Sequence, residues 1–394
     1  MIVRDRAYLE KDGMPSLNML KSVISEHART LPRLKRLMGY YLGYNDILNR
    51  ARGRGLPNNR VAHPFARYIA TVTSGYLAGN PVIYKYPQCR GMAQIERELK
   101  RISVSSCDAE NARTAAIYGK GVEYVHAGEE GVCVTPLSPE KAFTVYSDEG
   151  YAPLFGVYIT ELCAPDGSIQ GIALYVFTEN ESMCLHAADT ALEGASLVFR
   201  QPHPFGGVPI IEYWNDENEK GDFEWVLGLI DAYDALESDR VNDKDQCVDR
   251  MLLLTGCTLD SDEEGRPPWL RLREDKALCL PDMDAKAEYL TAEMDETGNE
   301  ILRSALKEDI HKLSMVPDLS DKSFSQNSSG VALKYKLMGL EQLTRVKEQW
   351  FKEGLRARLK LLLNFMAVKG LDVCDPADIE ISFKRALPEV EFSF

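Results

Sequence analysis

The sequence predicts an α+β protein, and three observations carry that prediction. Apolar residues recur at helical spacing through the first third. They recur at period two from about 121 to 213, and at helical spacing again in long segments with few breakers beyond 223. Helices gathered ahead of an antiparallel meander, without regular alternation of strand and helix, are the α+β pattern. With 394 residues, 45% hydrophobic and 27% charged, the chain can bury a core and form two or three substructures.

In the first third, Leu17, Leu20 and Ile24 form one stripe, and Leu34, Met38 and Tyr41 a second. Phe65, Ile69, Val72 and Tyr76 form a third behind a helix-starting Pro64. The loop "GRGLPNN" separates the second helix from the third. Gly79, Asn80 and Pro81 stop the third, where "GNPVIY" begins a strand. Met92, Ile95, Leu99 and Ile102 predict one more helix. Then Val122, Tyr124 and His126 alternate, "GEEG" turns the chain, Val132 and Val134 resume, and "PDGS" at 165–168 separates two further strands. The clusters "QPHPFGGVP" (201–209) and "NDENEKGD" (215–222) mark a boundary.

Beyond it, 224–254 reads as a helix roughly 45 Å long at about 1.5 Å per residue. Trp225, Leu229, Ala232 and Leu236 lie on one face. Asp231, Asp234, Glu237, Asp239, Asp243, Asp245 and Asp249 load the rest, and the plain reading of those acids is a solvated face. A strand-and-loop module follows. Next comes a helix carrying Leu302, Leu306, Ile310 and Leu313 that ends at Pro317, and then the polar, unpatterned "VPDLSDKSFSQNSSGVALKYKL" (316–337). A long helix runs from about Ser329 to Val368, where Gly339 and Gly354 each cost about 1 kcal/mol relative to Ala and invite a bend.

A net charge of −14 argues against a coat that holds nucleic acid by broad phosphate neutralisation. Nine scattered cysteines without a C-x-x-C pair read as reduced thiols, and the start of the chain lacks the apolar core of a signal peptide. The longest apolar run, "LKLLLNFMAV" (359–368), is too short to span a bilayer, so no membrane partner is expected. The motifs G-x-x-x-x-G-K-[ST], H-E-x-x-H and G-x-S-x-G are absent. "DSDEEGRPPWLR" begins like a calcium loop with Asp260, Asp262, Glu264 and Gly265, but Arg271 stands where a bidentate Glu is required. The six histidines are isolated in sequence, and His126 reads as a hydrogen-bonded strand residue. No catalytic residue, metal ligand or cofactor is expected, although distant carboxylates can assemble a metal-dependent hydrolase, which stays open as an alternative.

Several stretches then converge on one resemblance. "NSSGVALKYKLMGLEQLTRVKEQWFKEGLRARLKLLLNF" behind a helix, "VPD" and a polar loop is similar to the tunnel loop and long helix of siphovirus-type bacteriophage portal proteins. "YYLGYNDIL", "PNNRVAHPFARYIATVTSGYLAGNPVIY" and "DIEISFKRALP" agree in order and spacing, so the resemblance covers nearly the whole chain. It departs in one respect. Family members continue past the last strand into a helical crown, so the end at Phe394 implies a missing crown or a truncated chain.

The resemblance implies a portal fold and a homo-oligomer ring, normally of twelve subunits, at one capsid vertex of the virion, assembled in the bacterial host cytoplasm. Double-stranded DNA is packaged and ejected through such a ring. The implied partners are the large terminase, the major capsid or scaffolding protein and a head-tail adaptor; a structural ring adaptor without DNA translocation is the other alternative. By resemblance 1–222 is a wing, 223–255 and 296–315 are stem helices, and 256–295 is a small α/β clip. Residues 316–328 are the tunnel loop, 329–369 a long wing helix, and 370–394 a C-terminal wing strand. The loop residues expected to face DNA are Asp321, Lys322, Ser323, Phe324, Ser325, Gln326, Asn327 and Ser328. Asp239, Asp243, Asp245 and Asp249 are the expected acidic channel lining, and Pro267, Pro268 and Trp269 the expected clip interface. The bases Lys334, Lys336, Arg345, Lys347, Lys352, Arg356, Arg358 and Lys360 are expected to pair with acids of neighbouring subunits, contact with DNA being the alternative.

Overall fold

The computed structural model describes residues 1–10, 13–53, 56–85, 91–129, 131–248, 251–255, 286–290, 296–320 and 334–385. The fold is α+β. It divides into two compact units, one made of Met1–Asn45, His63–Ile230 and Asp309–Phe394, the other of Asp46–Ala62 and Asp231–Glu308.

In the larger unit, strand β1 (Ile2–Arg4) leads into helix α1 (Leu17–Leu42). Ser16 caps α1 by accepting from the Met19 N–H, and Gly43 ends it in the left-handed region at φ 87°. The two stripes read as separate helices are one. Pro32 sits inside α1, where an interior proline costs about 3 kcal/mol. Burial of Met19, Leu20, Val23 and Ile24 before it, and of Leu34, Leu37 and Tyr40 after it, outweighs that cost. Helix α2 (Phe65–Ala78), strand β2 (Ile83–Lys85) and helix α3 (Met92–Arg101) follow as the periodicity predicts.

Helix α4 (Val104–Tyr118) has no counterpart in the sequence reading. Its residues are small or polar and are buried around much of its circumference, so no apolar stripe announces it; Asp108, Asn111, Ala112, Ala115 and Ala116 are all buried. The meander then runs through β3 (Lys120–Gly128), β4 (Gly131–Leu137), β5 (Ala142–Ser147), β6 (Pro153–Cys163), β7 (Ile169–Phe177), β8 (Glu181–Ala187), β9 (Ser196–Pro202) and β10 (Ile210–Trp214). It splits into two sheets. One has the order β1-β5-β6-β7-β8-β9, antiparallel except that β1 joins β5 in parallel, and the other has the order β10-β3-β4.

Helix α1 packs Leu20, Val23 and Ile24 against Phe143, Val145, Phe155, Leu174 and Val176 of the six-stranded sheet. A second core joins α2, α3 and α4 to the three-stranded sheet and to helix α7 (Met338–Val368), whose Phe351, Leu355, Leu359 and Leu362 are buried. Strand β13 (Glu380–Ser382) pairs antiparallel with β2, so the "GNPVIY" and "DIEISF" stretches meet. The ends of the stretch 215–222 are tied down: the Asp222 N–H donates to the Ala116 carbonyl at 2.8 Å, and Asn215 Nδ2 donates to Asp222 Oδ1 at 2.8 Å.

The smaller unit takes most of helix α5 (Leu227–Val248), the antiparallel pair β11 (Met251–Thr255) and β12 (Lys286–Leu290), and most of helix α6 (Glu296–Leu313). Among the described residues, no helix is long and apolar enough to cross a membrane.

Candidate functional site

The segment expected to face a channel lies between α6 and α7, and residues 321–333 fall outside the described residues. Its two roots are described, and both are tied to the larger unit. On the first side, Tyr68 of α2 donates its hydroxyl hydrogen to the Pro317 carbonyl at 2.7 Å and accepts the Leu319 N–H at 2.9 Å. His311 stands edge-on to Tyr68, with centroids 5.6 Å apart, and to Phe65 at 6.0 Å, while its Nδ1 lies 3.0 Å from the Val316 carbonyl. Val316 is fully buried, and Met315 takes φ 57° to turn the chain under it. Asp318 Oδ1 accepts from the Ser320 N–H and hydroxyl, closing a local turn just before the loop.

On the second side, a helical turn at 334–336 is interrupted at Leu337, and α7 begins at Met338. Leu337 and Leu340 are buried there. Glu341 accepts from Tyr76 at 3.0 Å, from Arg345 at 2.9 Å and from Arg385 at 2.9 Å; Arg385 also reaches Glu348 at 2.8 Å. Burial alone would raise the Glu341 carboxyl, but the Arg385 and Arg345 hydrogen bonds hold it below the usual carboxylate range. The same geometry, burial first and Glu341 second, pushes the Tyr76 hydroxyl up to about 12.

Farther along α7, Arg345, Lys347, Lys352, Arg356 and Arg358 form ion pairs inside the chain, which corrects for these five the expectation of acids on neighbouring subunits. Lys347 pairs with Asp222 at 2.5 Å, both nearly fully buried. Arg358 pairs with Asp108 at 2.5 Å and with Glu123. Arg345, Lys352 and Arg356 pair with Glu341, Glu348 and Glu353 within the helix itself. Sequence reasoning misses this because a cation carries no sign of which acid it will meet. The available signal was position: Thr344, Lys347, Phe351, Leu355, Arg358 and Leu362 share one i, i+3, i+4 face, so Lys347 and Arg358 stand on the apolar stripe.

In the smaller unit the expected acidic lining separates into different environments. Asp239 forms ion pairs with Arg50 and Arg52 of the segment 46–62. Asn59 donates its backbone N–H to the buried Asn242 Oδ1 at 2.6 Å and its side-chain amide to Asp245, and Ser238 Oγ accepts the Val61 N–H at 2.9 Å. That segment therefore covers one face of α5. Asp243 is exposed, and Asp249 lies outside the described residues, as do Pro267, Pro268, Trp269 and the eight loop positions Asp321 to Ser328.

Helices α5 and α6 of this unit are joined by Arg240, which reaches Glu296 and Glu300 at 3.3 Å, and by Arg303, which reaches Glu237 at 3.2 Å. Such exposed pairs contribute at most about 1 kcal/mol each, so they set register more than stability. Apolar cover on α6 is thin: Ile301 and Leu302 are exposed, and Leu313 is 59% exposed.

His126 Nε2 lies 3.1 Å from Thr135 Oγ1 across β3 and β4, the strand role read from its sequence position. Among the described residues, no group of three or more His, Cys, Asp or Glu side chains is placed to hold a metal ion. Cys107, Cys133, Cys163, Cys184 and Cys374 are free thiols.

Comparison with known proteins gives consistent findings. The portal protein of Bacillus phage SPP1 is 25% identical over 385 residues, spanning 90% of this chain and 73% of that protein. The portal protein of Clostridium phage phiCD119 is 22% identical over 389 residues, spanning 89% of this chain and 83% of that one. Among solved structures, a chain of the neck of an empty GTA particle superposes with a TM-score of 0.48 at 13% identity, covering 84% of this chain and 82% of that chain. A chain of the virion of a native gene transfer agent particle gives 0.46 at 14% identity, covering 83% and 81%. The family model described as phage portal protein, SPP1 Gp6-like, matches residues 20–390. That match runs from within α1 through β13, including both roots of the loop, and the chain belongs to the SPP1 Gp6-like family of phage portal proteins.

Proposed function

We propose that this portal protein assembles into a closed ring of identical subunits at a capsid vertex, and that duplex DNA passes through the ring during packaging and ejection. The observation that carries the reading is the frame of the 321–333 segment: two long helices lead into and out of it, and both roots are fastened to one packed unit through Tyr68, His311 and Glu341. Two roots fastened to one packed unit are the arrangement a polar channel loop needs. Its small hydroxyls and amides exchange hydrogen bonds with water and phosphate without a lasting hold.

On this reading Asp321, Lys322, Ser323, Phe324, Ser325, Gln326, Asn327 and Ser328 touch passing DNA. Asp243, exposed on α5, repels the backbone where a fixed cation would add salt-dependent dwell time. The poorly covered face of α6, with Ile301, Leu302 and Leu313, finds its cover on the next subunit of the ring. Pro267, Pro268 and Trp269 meet the terminase motor, and capsid and head-tail adaptor proteins hold the ring in the virion.

Native mass measurement with negative-stain imaging tests the assembly directly. The expected result is a ring with a central hole wide enough for duplex DNA. A clean monomer at micromolar concentration defeats the reading.

A further inference from the structure

At the centre of the larger unit, three ionisable side chains from three elements meet out of reach of water. Arg358 of α7, Glu123 of β3 and Asp108 of α4 are 1%, 0% and 2% exposed. One guanidinium faces two carboxyl groups. With both ionised, the cluster would hold an unbalanced negative charge in a medium of low dielectric.

The hydrogen bonds show which carboxyl is the odd one. Glu123 is fully served: it accepts from Arg358 Nε at 2.7 Å, from Arg358 Nη2, from Asn111 Nδ2 at 2.7 Å and from Tyr213 Oη at 3.1 Å. Asp108 accepts from Arg358 Nη1 at 2.5 Å through Oδ1, while its Oδ2 is buried with no hydrogen-bond partner among the described residues. Asn111 Oδ1, in the same cluster, is also buried with no hydrogen-bond partner among the described residues. Asp108 and Asn111 are three apart on α4 and share a face. A carboxylate oxygen and an amide oxygen are both acceptors and cannot serve each other; a proton on the first turns it into a donor.

We infer that Asp108 is held as the neutral acid in the folded protein at neutral pH, its proton completing the seat of α7 and making that seat a proton-dependent lock. The proton is taken from solvent as the chain folds, one carboxylate becoming one carboxylic acid, and no other group changes charge. The groups facing Asp108 are Arg358 from α7, Glu123 from β3, Tyr213 from β10, Tyr84 from β2 and Cys107 from α4 itself. Arg358 is the one cation among them, and Glu123 already takes two of its donors. The others stay neutral: burial pushes the Cys107 thiol up to about 11 and pushes both tyrosines well above their usual range. Burial likewise pushes the Asp108 carboxyl up, against the pull of Arg358.

A carboxyl raised above its unfolded value contributes stability that is fully present below the unfolded pKa. That contribution is lost as pH rises through the folded pKa. In the whole chain at pH 7, the infrared difference between wild type and Asp108→Asn should show one carboxylic-acid C=O band that fades as pH is raised. Wild-type stability should fall as pH rises above the ordinary carboxyl range and level off where the band has faded, while the Asn variant lacks that fall, since its amide mimics the neutral acid. If the variant does not fold, isotope labelling of aspartate carboxyls in the wild type should shift the same band. A wild type without the band at pH 7 overturns the inference and leaves Asp108 an ionised partner of Arg358, with water serving the remaining oxygens.

Discussion

Arg358 and Glu123 stand 235 positions apart in sequence and form a two-pronged ion pair, Nε donating to Oε1 and Nη2 to Oε2, with neither side chain more than 1% exposed. The pair fastens the last long helix to the first strand of the meander. Arg358 also lies 5.4 Å from the Tyr213 ring centre and reaches Asp108, so one side chain ties α7 to β3, β10 and α4.

Replacing Arg358 with Met should therefore cost far more than removing a surface charge. It leaves two carboxyls buried without their cation, and breaking a buried pair in this way typically costs about 3–5 kcal/mol. Denaturant unfolding measures the loss. A change of less than about 1 kcal/mol would mean that the pair does not hold α7.

Gly354 and Gly339 of α7 should respond in opposite directions to Ala. A Cβ at Gly354 would come within 2.4 Å of the Tyr213 ring, whereas at Gly339 the nearest atom is 3.7 Å away. Gly354→Ala is expected to destabilise by about 1–3 kcal/mol through overpacking. Gly339→Ala is expected to be neutral or to stabilise by up to about 1 kcal/mol. Thermal melts of the two variants check the contrast, and equal shifts would contradict it.

Tyr68→Phe removes a donor to Pro317 and an acceptor for Leu319 without changing the ring. The expected loss is about 1–3 kcal/mol for two hydrogen bonds of about 0.5–1.5 kcal/mol each. Its local mark should be faster amide hydrogen exchange at Leu319 and Ser320 while the six-stranded sheet stays protected. Unchanged exchange there would show that the root of the loop is held by other contacts.

Asp239→Lys and Asp243→Lys separate the two roles of α5. Asp239 sits against Arg50 and Arg52, so a lysine there gathers three cations and should lower the melting temperature. Asp243 is exposed, and Lys there should leave the melt unchanged; on the channel reading it should slow DNA packaging, most of all at low salt where screening is weak. Normal low-salt packaging by the Asp243 variant would place this face away from DNA.

The sequence by itself determined the α+β class, the helices α2, α3 and α6, the hairpin at Gly128 and Gly131, and the family, because these rest on local periodicity, turn residues and short motifs. It did not reveal α4, whose small and polar residues are buried around much of the helix, or the unity of α1, where packing on both sides of Pro32 overrides a local breaker. Nor did it show that β1 would join β5 in parallel. The largest gap lies in the charges. Lys347 and Arg358 read as partners of other subunits' acids, and Glu123 and Asp222 as nothing in particular, since a charge in a sequence carries no sign of its partner. Only the tertiary structure brings them together across 125 and 235 positions, where each carboxylate meets the cation that makes its burial tolerable.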